Sequence, residues 1–379
     1  MHILIAPNAF KHSLSATEVA EAIQVGLKKS ALEFKHECFP VGDGGDGTGE
    51  LIIKKLSGSR VELNVQDPLG RTIRSSYGLI EKGKTAVIEM ANASGLRLLD
   101  RYEMNPLKTS SLGTGSMMKD ALDKGVKKII LAMGGSATVD GGCGILKALG
   151  LRFFDDETEQ EVPSPENLMH LEKIDTSELD PRIHDCEIII LCDVDNPLLG
   201  SNGAASVFGP QKGATADDVY KLEKFLNRFA AVAMKQTKRN LMDMPRVGTA
   251  GGAAGGLFAF LQAKLVNGID YYLELTNFES AINKADLVIT GEGSIDNQTL
   301  SGKGPFGVAS RAKKKGIGVI GLAGKVPIKK SRQMQQYFDV LLPIGNEPSD
   351  LNEALKSTKK NLERTAFEIG NLLSLKRAI

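Results

Sequence analysis

Five segments of the 379-residue chain set side chains that bind or transfer charged groups among glycines that let backbone approach closely. In Gly42-Asp-Gly-Gly-Asp-Gly-Thr48, Asp43 and Asp46 lie within a glycine frame after the run Cys38–Val41. A lone Asp-Gly pair is ordinarily a tight turn whose carboxylate bonds its own backbone. Two such acids at a strand-to-helix junction point instead to a ligand or a metal. The second segment, Gly134-Gly-Ser-Ala-Thr-Val-Asp-Gly-Gly142, follows the apolar run Lys128–Met133 and precedes a helical pattern over Ile145–Leu149. Unpaired N–H groups there, aided by the helix N-terminus, would cradle an anion. Gly134, Gly135, Ser136, Thr138 and Asp140 favour phosphate over a purely packing connection.

In the third segment, Cys192-Asp-Val-Asp-Asn-Pro-Leu198, strand alternation sends Asp193 and Asp195 to one side of a strand end. That suits Mg²⁺, which is held by one or two carboxylates plus substrate phosphates; capping of the next turn is the alternative, with Pro197 ending the strand. Gly209-Pro-Gln-Lys-Gly213 adds Gln211 and Lys212, although a lone lysine is more often solvated. The fourth, Gly248-Thr-Ala-Gly-Gly-Ala-Ala-Gly-Gly256, leads into a helical pattern over Leu257–Leu265 and lacks the Gly-Lys-Ser/Thr ending of a P-loop. Its small-residue surface around Gly251 and Gly252 would admit a nucleotide or a packed helix equally well. The fifth, Thr290–Gly304, gathers Glu292, Asp296, Gln298 and Lys303 in one polar loop and is the strongest functional signal.

The elements that must position these residues are legible in the flanking pattern. Ile3–Ala6 is a buried-strand run closed by Pro7, and Ser15-Ala-Thr-Glu18 is a capping box opening a helix marked by Val19, Ile23 and Leu27, with Leu14 stapled onto Val19. Strand, loop and helix recur at Ala285–Thr290, Gly291–Gly304 and Phe306–Lys315, followed by a strand at Val319–Ala323. Between these halves, Val61–Val65, Ser75–Ile80 and Thr85–Met90 predict a hairpin or meander, Glu187–Cys192 a buried strand and Ala216–Lys238 a long amphipathic helix. The fold class is therefore α/β with two domains. A Rossmann-like parallel-sheet domain, residues 1–66 plus 275–379, is interrupted by a mixed α/β domain, residues 67–274, and the active site is expected in the cleft between them.

Composition narrows the function. The 47 Lys and Arg against 46 Asp and Glu, 5% aromatic residues and no Trp do not describe a nucleic-acid binder. Cys38, Cys143, Cys186 and Cys192 show neither metal-ligand spacing nor a disulfide framework, and no run approaches the ~20 apolar residues of a membrane span. The expectation is a cytoplasmic protein with a small-molecule partner, no nucleic acid and no membrane; a homodimer is allowed. The five histidines lack partners at metal spacing, and Gly-x-Ser-x-Gly is absent. Gly113-Thr-Gly-Ser lacks the third glycine of a dinucleotide fingerprint.

Taken together, Ala6-Pro-Asn-Ala-Phe-Lys11, Asp43–Thr48, Val87-Ile-Glu-Met-Ala-Asn-Ala-Ser-Gly95, Gly134–Thr138, Cys192–Pro197, Phe208–Ala214 and Thr290-Gly-Glu-Gly293 resemble the type I glycerate kinase family, in order and across essentially the whole chain. The resemblance implies ATP-dependent phosphorylation of D-glycerate, usually at the 2-hydroxyl. On that basis Asp193 and Glu292 would hold Mg²⁺, and Gly134, Gly135, Ser136 and Thr138 the ATP phosphates, with Gly251, Gly252 and Lys303 contributing to nucleotide binding. Lys11 would grip the glycerate carboxylate or the transferring group, Asp46, Gln211 and Lys212 would contact substrate, and Asp43 or Asp195 would orient the attacking hydroxyl and accept its proton. The chain departs from the family pattern at Asn8 (for Asp), Ala9 (for Ser), Val139 (for Asn), Ser294 (for Arg) and Ser301 (for His). These departures leave open a kinase of another small hydroxy acid, or a sugar-acid-binding sensor without turnover.

Overall fold

The structure is a computed structural model that describes residues 1–155, 158–160, 163–242, 244–296, 302–329 and 331–375. The chain forms two compact units, the first of Met1–Asp43 and Ile269–Ile379, the second of Gly44–Gly268. It starts in the first unit with β1 (His2–Ile5) and β2 (Lys35–Cys38). It then enters the second unit for β3 (Ser59–Gln66), β4 (Thr72–Ile80), β5 (Thr85–Glu89), β6 (Lys128–Ala132), β7 (Arg152–Asp155), β8 (Thr158–Glu159), β9 (Leu171–Asp175), β10 (Glu187–Cys192) and β11 (Lys264–Asn267). It returns for β12 (Leu287–Ser294), β13 (Gly318–Lys325) and β14 (Val340–Pro343).

In the first unit the strands lie in the order β14-β13-β12-β1-β2, all parallel. Ile3, Leu4 and Ile5 are wholly buried, as a strand covered on both faces requires. The helix Ala16–Lys29 begins at the expected capping box, in which Ser15 Oγ accepts from the Glu18 N–H and the Glu18 carboxylate accepts from the Ser15 N–H. Its Val19, Ile23 and Leu27 join the core formed with Leu362, Ala366 and Ile369 of the helix Leu351–Leu375. Because β1 has β2 on one side and β12 on the other, chain direction across the sheet reverses at β1, and ligands of such sheets bind beyond the carboxyl ends at that point.

The second unit has a six-stranded sheet in the order β11-β10-β6-β5-β4-β3 and a small antiparallel sheet β8-β7-β9. From β5 to β11 neighbouring strands are parallel, whereas β3, β4 and β5 form the expected meander. This is why the division differs from the one expected near residue 66. Strand β3 pairs along its length with β4, and the helix Thr48–Lys55 precedes it in the same unit, so the change of unit falls after Asp43. At the far end, β11 occupies part of the run expected to be helical to Leu265, and the helix stops at Leu261.

Candidate active site

At the carboxyl end of β1, the Asn8 N–H donates to Gly291 O of β12 at 2.8 Å, drawing the loop across the strand reversal. The Asn8 amide donates to Asp43 Oδ2 at 2.8 Å, and the Gly304 N–H donates to the same oxygen at 3.3 Å. Asp43 is thus a buried carboxylate approached by donors. A carboxylate at position 8 would set a like charge against it; the amide supplies a donor instead. Ala9 adds no polar group, its N–H being taken by Asn8 Oδ1. Lys11 is exposed and carries no ion pair among the described residues.

Glu292 is buried, and it lies in β12, opposite Ala323, rather than in the expected loop. Strand pairing continues through Ser294, opposite Lys325, because β13 is long enough to carry it. Lys303 is partly exposed and serves as N-cap of the helix Gly304–Lys314, without a side-chain cap bond. Gln298 and Ser301 lie outside the described residues.

In the second unit, the parallel strands bring the ends of β5, β6 and β10 to one edge, since Glu89 and Leu191 both register with Ala132. Gly134–Thr138 leaves β6 there and is braced from two sides. The Gly134 N–H donates to Gly44 O at 3.0 Å, and a Cβ on Gly134 would stand 2.4 Å from Gly45 Cα. The Ala137 N–H donates to Ser94 O at 2.8 Å. The N–H groups of Gly135, Ser136 and Thr138 donate to no protein acceptor among the described residues, and buried Thr138 Oγ1 has no partner. Ser136 and Thr138 are buried, and buried backbone donors in this state are uncommon unless a ligand or water takes them.

Lys212 closes the loop from within. It is 3% exposed, unlike the commoner solvated lysine, and its Nζ donates to Ser136 Oγ at 2.9 Å and Thr138 O at 2.7 Å. Burial lowers its pKa to about 7, opposed by the negative field of Asp140. Asp140 is itself fully buried and has another task. It accepts from the Ser111 N–H and Oγ, and from the N–H groups of Gly142 and Gly144 at the start of the helix Cys143–Ala148. The helix N-terminus expected to assist an anion is therefore already capped by a carboxylate. Val139 points into the core, fully buried.

At Gly251, Gly252, Asp193 and Asp195 the structure differs from the expectation. A Cβ on Gly251 would meet Thr138 O at 2.2 Å, and one on Gly252 would meet Leu198 Cδ1 at 2.8 Å. The flat surface expected to admit a nucleotide is occupied by protein, with Gly251 at φ +68° against the backbone of Thr138 and Val139. Asp193 and Asp195 lie beyond the end of β10, so strand alternation does not align them; Asp195 is exposed and accepts from Arg246 Nε at 2.8 Å, while Asp193 is half-buried. Gln211 is exposed in the turn Pro210–Lys212, and Asp46 accepts from Arg97 Nη1 at 2.7 Å. Sequence reading gave no role to Glu89, although a lone acid closing an otherwise apolar buried strand is a visible signal.

A glycine loop with unused N–H groups and a buried lysine beside it, at the parallel strands of one sheet, and a braced carboxylate at the strand reversal of another, are parts suited to phosphoryl transfer. The model of the glycerate kinase family matches residues 3–374. The chain belongs to the glycerate kinase family. It is 43% identical over 379 residues to a glycerate kinase of Bacillus subtilis (strain 168), covering 100% of this chain and 99% of that protein. To the glycerate 2-kinase of Escherichia coli (strain K12) it is 42% identical over 379 residues, covering 99% and 98%. A crystal structure from Salmonella typhimurium LT2 assigned as a glycerate kinase 2 matches with a TM-score of 0.83 at 40% identity, covering 100% of both chains. As a glycerate kinase this protein is an ATP-dependent phosphotransferase, and its mixed α/β architecture is that of the family.

Proposed function

We propose that the protein transfers the γ-phosphoryl group of ATP to the 2-hydroxyl of D-glycerate, giving 2-phosphoglycerate and ADP. The observation that carries this reading is the loop Gly134–Thr138, with three unused N–H groups, an unpartnered Thr138 hydroxyl and a buried Lys212. A polyanion satisfies all of these together, and its charge would return the Lys212 amine to the ammonium form. Asp43 is the better acceptor for the hydroxyl proton, since Asp195 is exposed and engaged by Arg246. Lys11, exposed beyond β1, would meet the transferring phosphoryl group.

Mg²⁺ completes the reading as the ion that neutralises phosphate charge. Asp193, just past β10, and separately Glu292, near the carboxyl end of β12, are each an oxygen donor of the kind that Mg²⁺ takes alongside phosphates and water. The name of the Escherichia coli relative supports the 2-position.

ADP release from Mg-ATP and D-glycerate, with phosphorus NMR of the product, tests this function. A 2-phosphoglycerate signal is the expected result. A 3-phosphoglycerate signal would reverse the regiochemistry, and absence of turnover with D-glycerate would overturn the acceptor.

A further inference from the structure

Beside the phosphate loop, within the same unit, lies a cavity of about 330 Å³ whose walls include Glu89, Asn92, Arg97, Arg60 and Ser76. Backbone bonds join its rim to the loop. The Leu96 N–H donates to Gly135 O at 2.8 Å and the Ala137 N–H to Ser94 O at 2.8 Å, while Arg97 binds Asp46 of the neighbouring glycine turn. Concave, polar and carrying charges of both signs, it has the character of a small-ligand site rather than of a void in an apolar core.

Two of its residues have unspent bonding capacity. Glu89 is 7% exposed, and its Oε1 accepts from the N–H groups of Gly49 at 2.6 Å and Glu50 at 3.3 Å. Its Oε2 bonds to no protein donor among the described residues. Burial, together with the nearby charge of Asp46, raises its pKa. That oxygen has access to the cavity and can accept from a ligand hydroxyl or a water there. Arg97 is half-exposed, and spends Nη1 on Asp46 and Nη2 on Asn92 Oδ1. The rest of its planar five-donor fork is open to a carboxylate. Asn92 is fixed in turn by donating to Ser76 O at 3.0 Å.

We propose that this cavity is the acceptor pocket and takes a small hydroxylated carboxylic acid, the carboxylate on Arg97 and a hydroxyl that is not phosphorylated on Glu89 Oε2. The assignment rests on the kinase reading for its reaction and on the cavity for its location. Glu89 and Arg97 are positioning groups for the acceptor, and a three-carbon acid leaves room in this volume for water or a longer chain.

Calorimetric binding of D-glycerate to the full-length protein, with kinetics in which D-glycerate and Mg-ATP are varied separately, tests the assignment. Arg97→Ala should weaken glycerate binding and raise the glycerate KM about 10- to 100-fold with the ATP KM unchanged. Glu89→Gln should raise the glycerate KM and spare the ATP KM. Far-UV circular dichroism and melting curves show whether each variant is folded, and Arg97→Lys, which keeps the charge and loses the fork, covers the case where alanine is not tolerated. Unchanged glycerate affinity in folded variants, or equal losses for ATP and glycerate, would overturn the proposal. If the wild type neither binds nor phosphorylates D-glycerate, the proposed function fails. Binding of lactate, tartronate or gluconate that is lost in Arg97→Ala would then still uphold the pocket, and no binding of any of these acids would overturn it.

Discussion

Lys212 shows how burial changes what a residue can do. A solvated lysine is a permanent cation, whereas this one titrates near neutrality because its ammonium has left water for a loop interior. The folded-state pKa, about 7, is below the ordinary lysine value of 10.5. Below about pH 7 both folded and unfolded chains hold the proton and the cost of burying the charge is fully present. Between about 7 and 10.5 the unfolded chain binds more proton, so stability rises with pH across that window. Lys212→Met should remove this rise and stabilise the protein near pH 7, on the order of a few kcal/mol, as read from denaturation midpoints of wild type and variant between pH 6.5 and 10. The same variant should lose on the order of 100-fold in kcat/KM for ATP, as seen when one donor to a developing anion is removed. Greater stability with lower activity marks a side chain kept for its task. No sequence pattern discloses that burial, because Gln211 and Lys212 are chemically alike as polar surface residues until the turn at Pro210 sends one inward.

At the scale of elements, the loop Gly134–Thr138 is held by backbone approach more than by side chains. Gly251 and Gly316 both have φ near +70°, but a Cβ would strike Thr138 O at 2.2 Å from Gly251 and meet nothing within 4 Å from Gly316. Alanine at either position bears the left-handed backbone cost of about 1 kcal/mol. Only Gly251→Ala should add roughly 1–3 kcal/mol of overpacking and, by displacing Thr138, raise the ATP KM; paired melts and kinetics of the two variants separate these effects. Elements with a strong local signal were legible in the sequence: the Ser15–Glu18 capping box, β10 at Glu187–Cys192, and the helix Ala216–Thr237 opened by Thr215 and Asp218. The continuation of β12 through Gly291-Glu-Gly-Ser294 was not, since glycine reads as a loop and the strand persists only because β13 pairs with it. Likewise β11 was hidden inside an apolar run whose period fits a helix as well as a strand, and pairing with β10 decided the outcome. At the site, the glycine clusters and the acids were visible, but which glycines face a ligand and which face a neighbouring backbone depends on contacts distant in sequence.

For the whole molecule, the deciding feature is that the first unit is built from both ends of the described chain while the second is continuous. Its core, from Val65 through Phe153 and Phe229 to Ala263, is its own. Residues 44–268 expressed alone should therefore fold as an independent α/β unit with one cooperative melt. A broad, non-cooperative melt would show that the division in space is not a division in stability. The order of synthesis adds a consequence. Strand β1 leaves the ribosome before residues 44–268, yet the β12 strand that flanks it follows only after the whole of them. At roughly 5–20 residues per second, β1 and β2 wait tens of seconds as an unfinished parallel edge. During that interval the nascent chain exposes Ile3, Leu4 and Ile5, residues that end wholly buried, so demand for a chaperone should last until β12 has been synthesised.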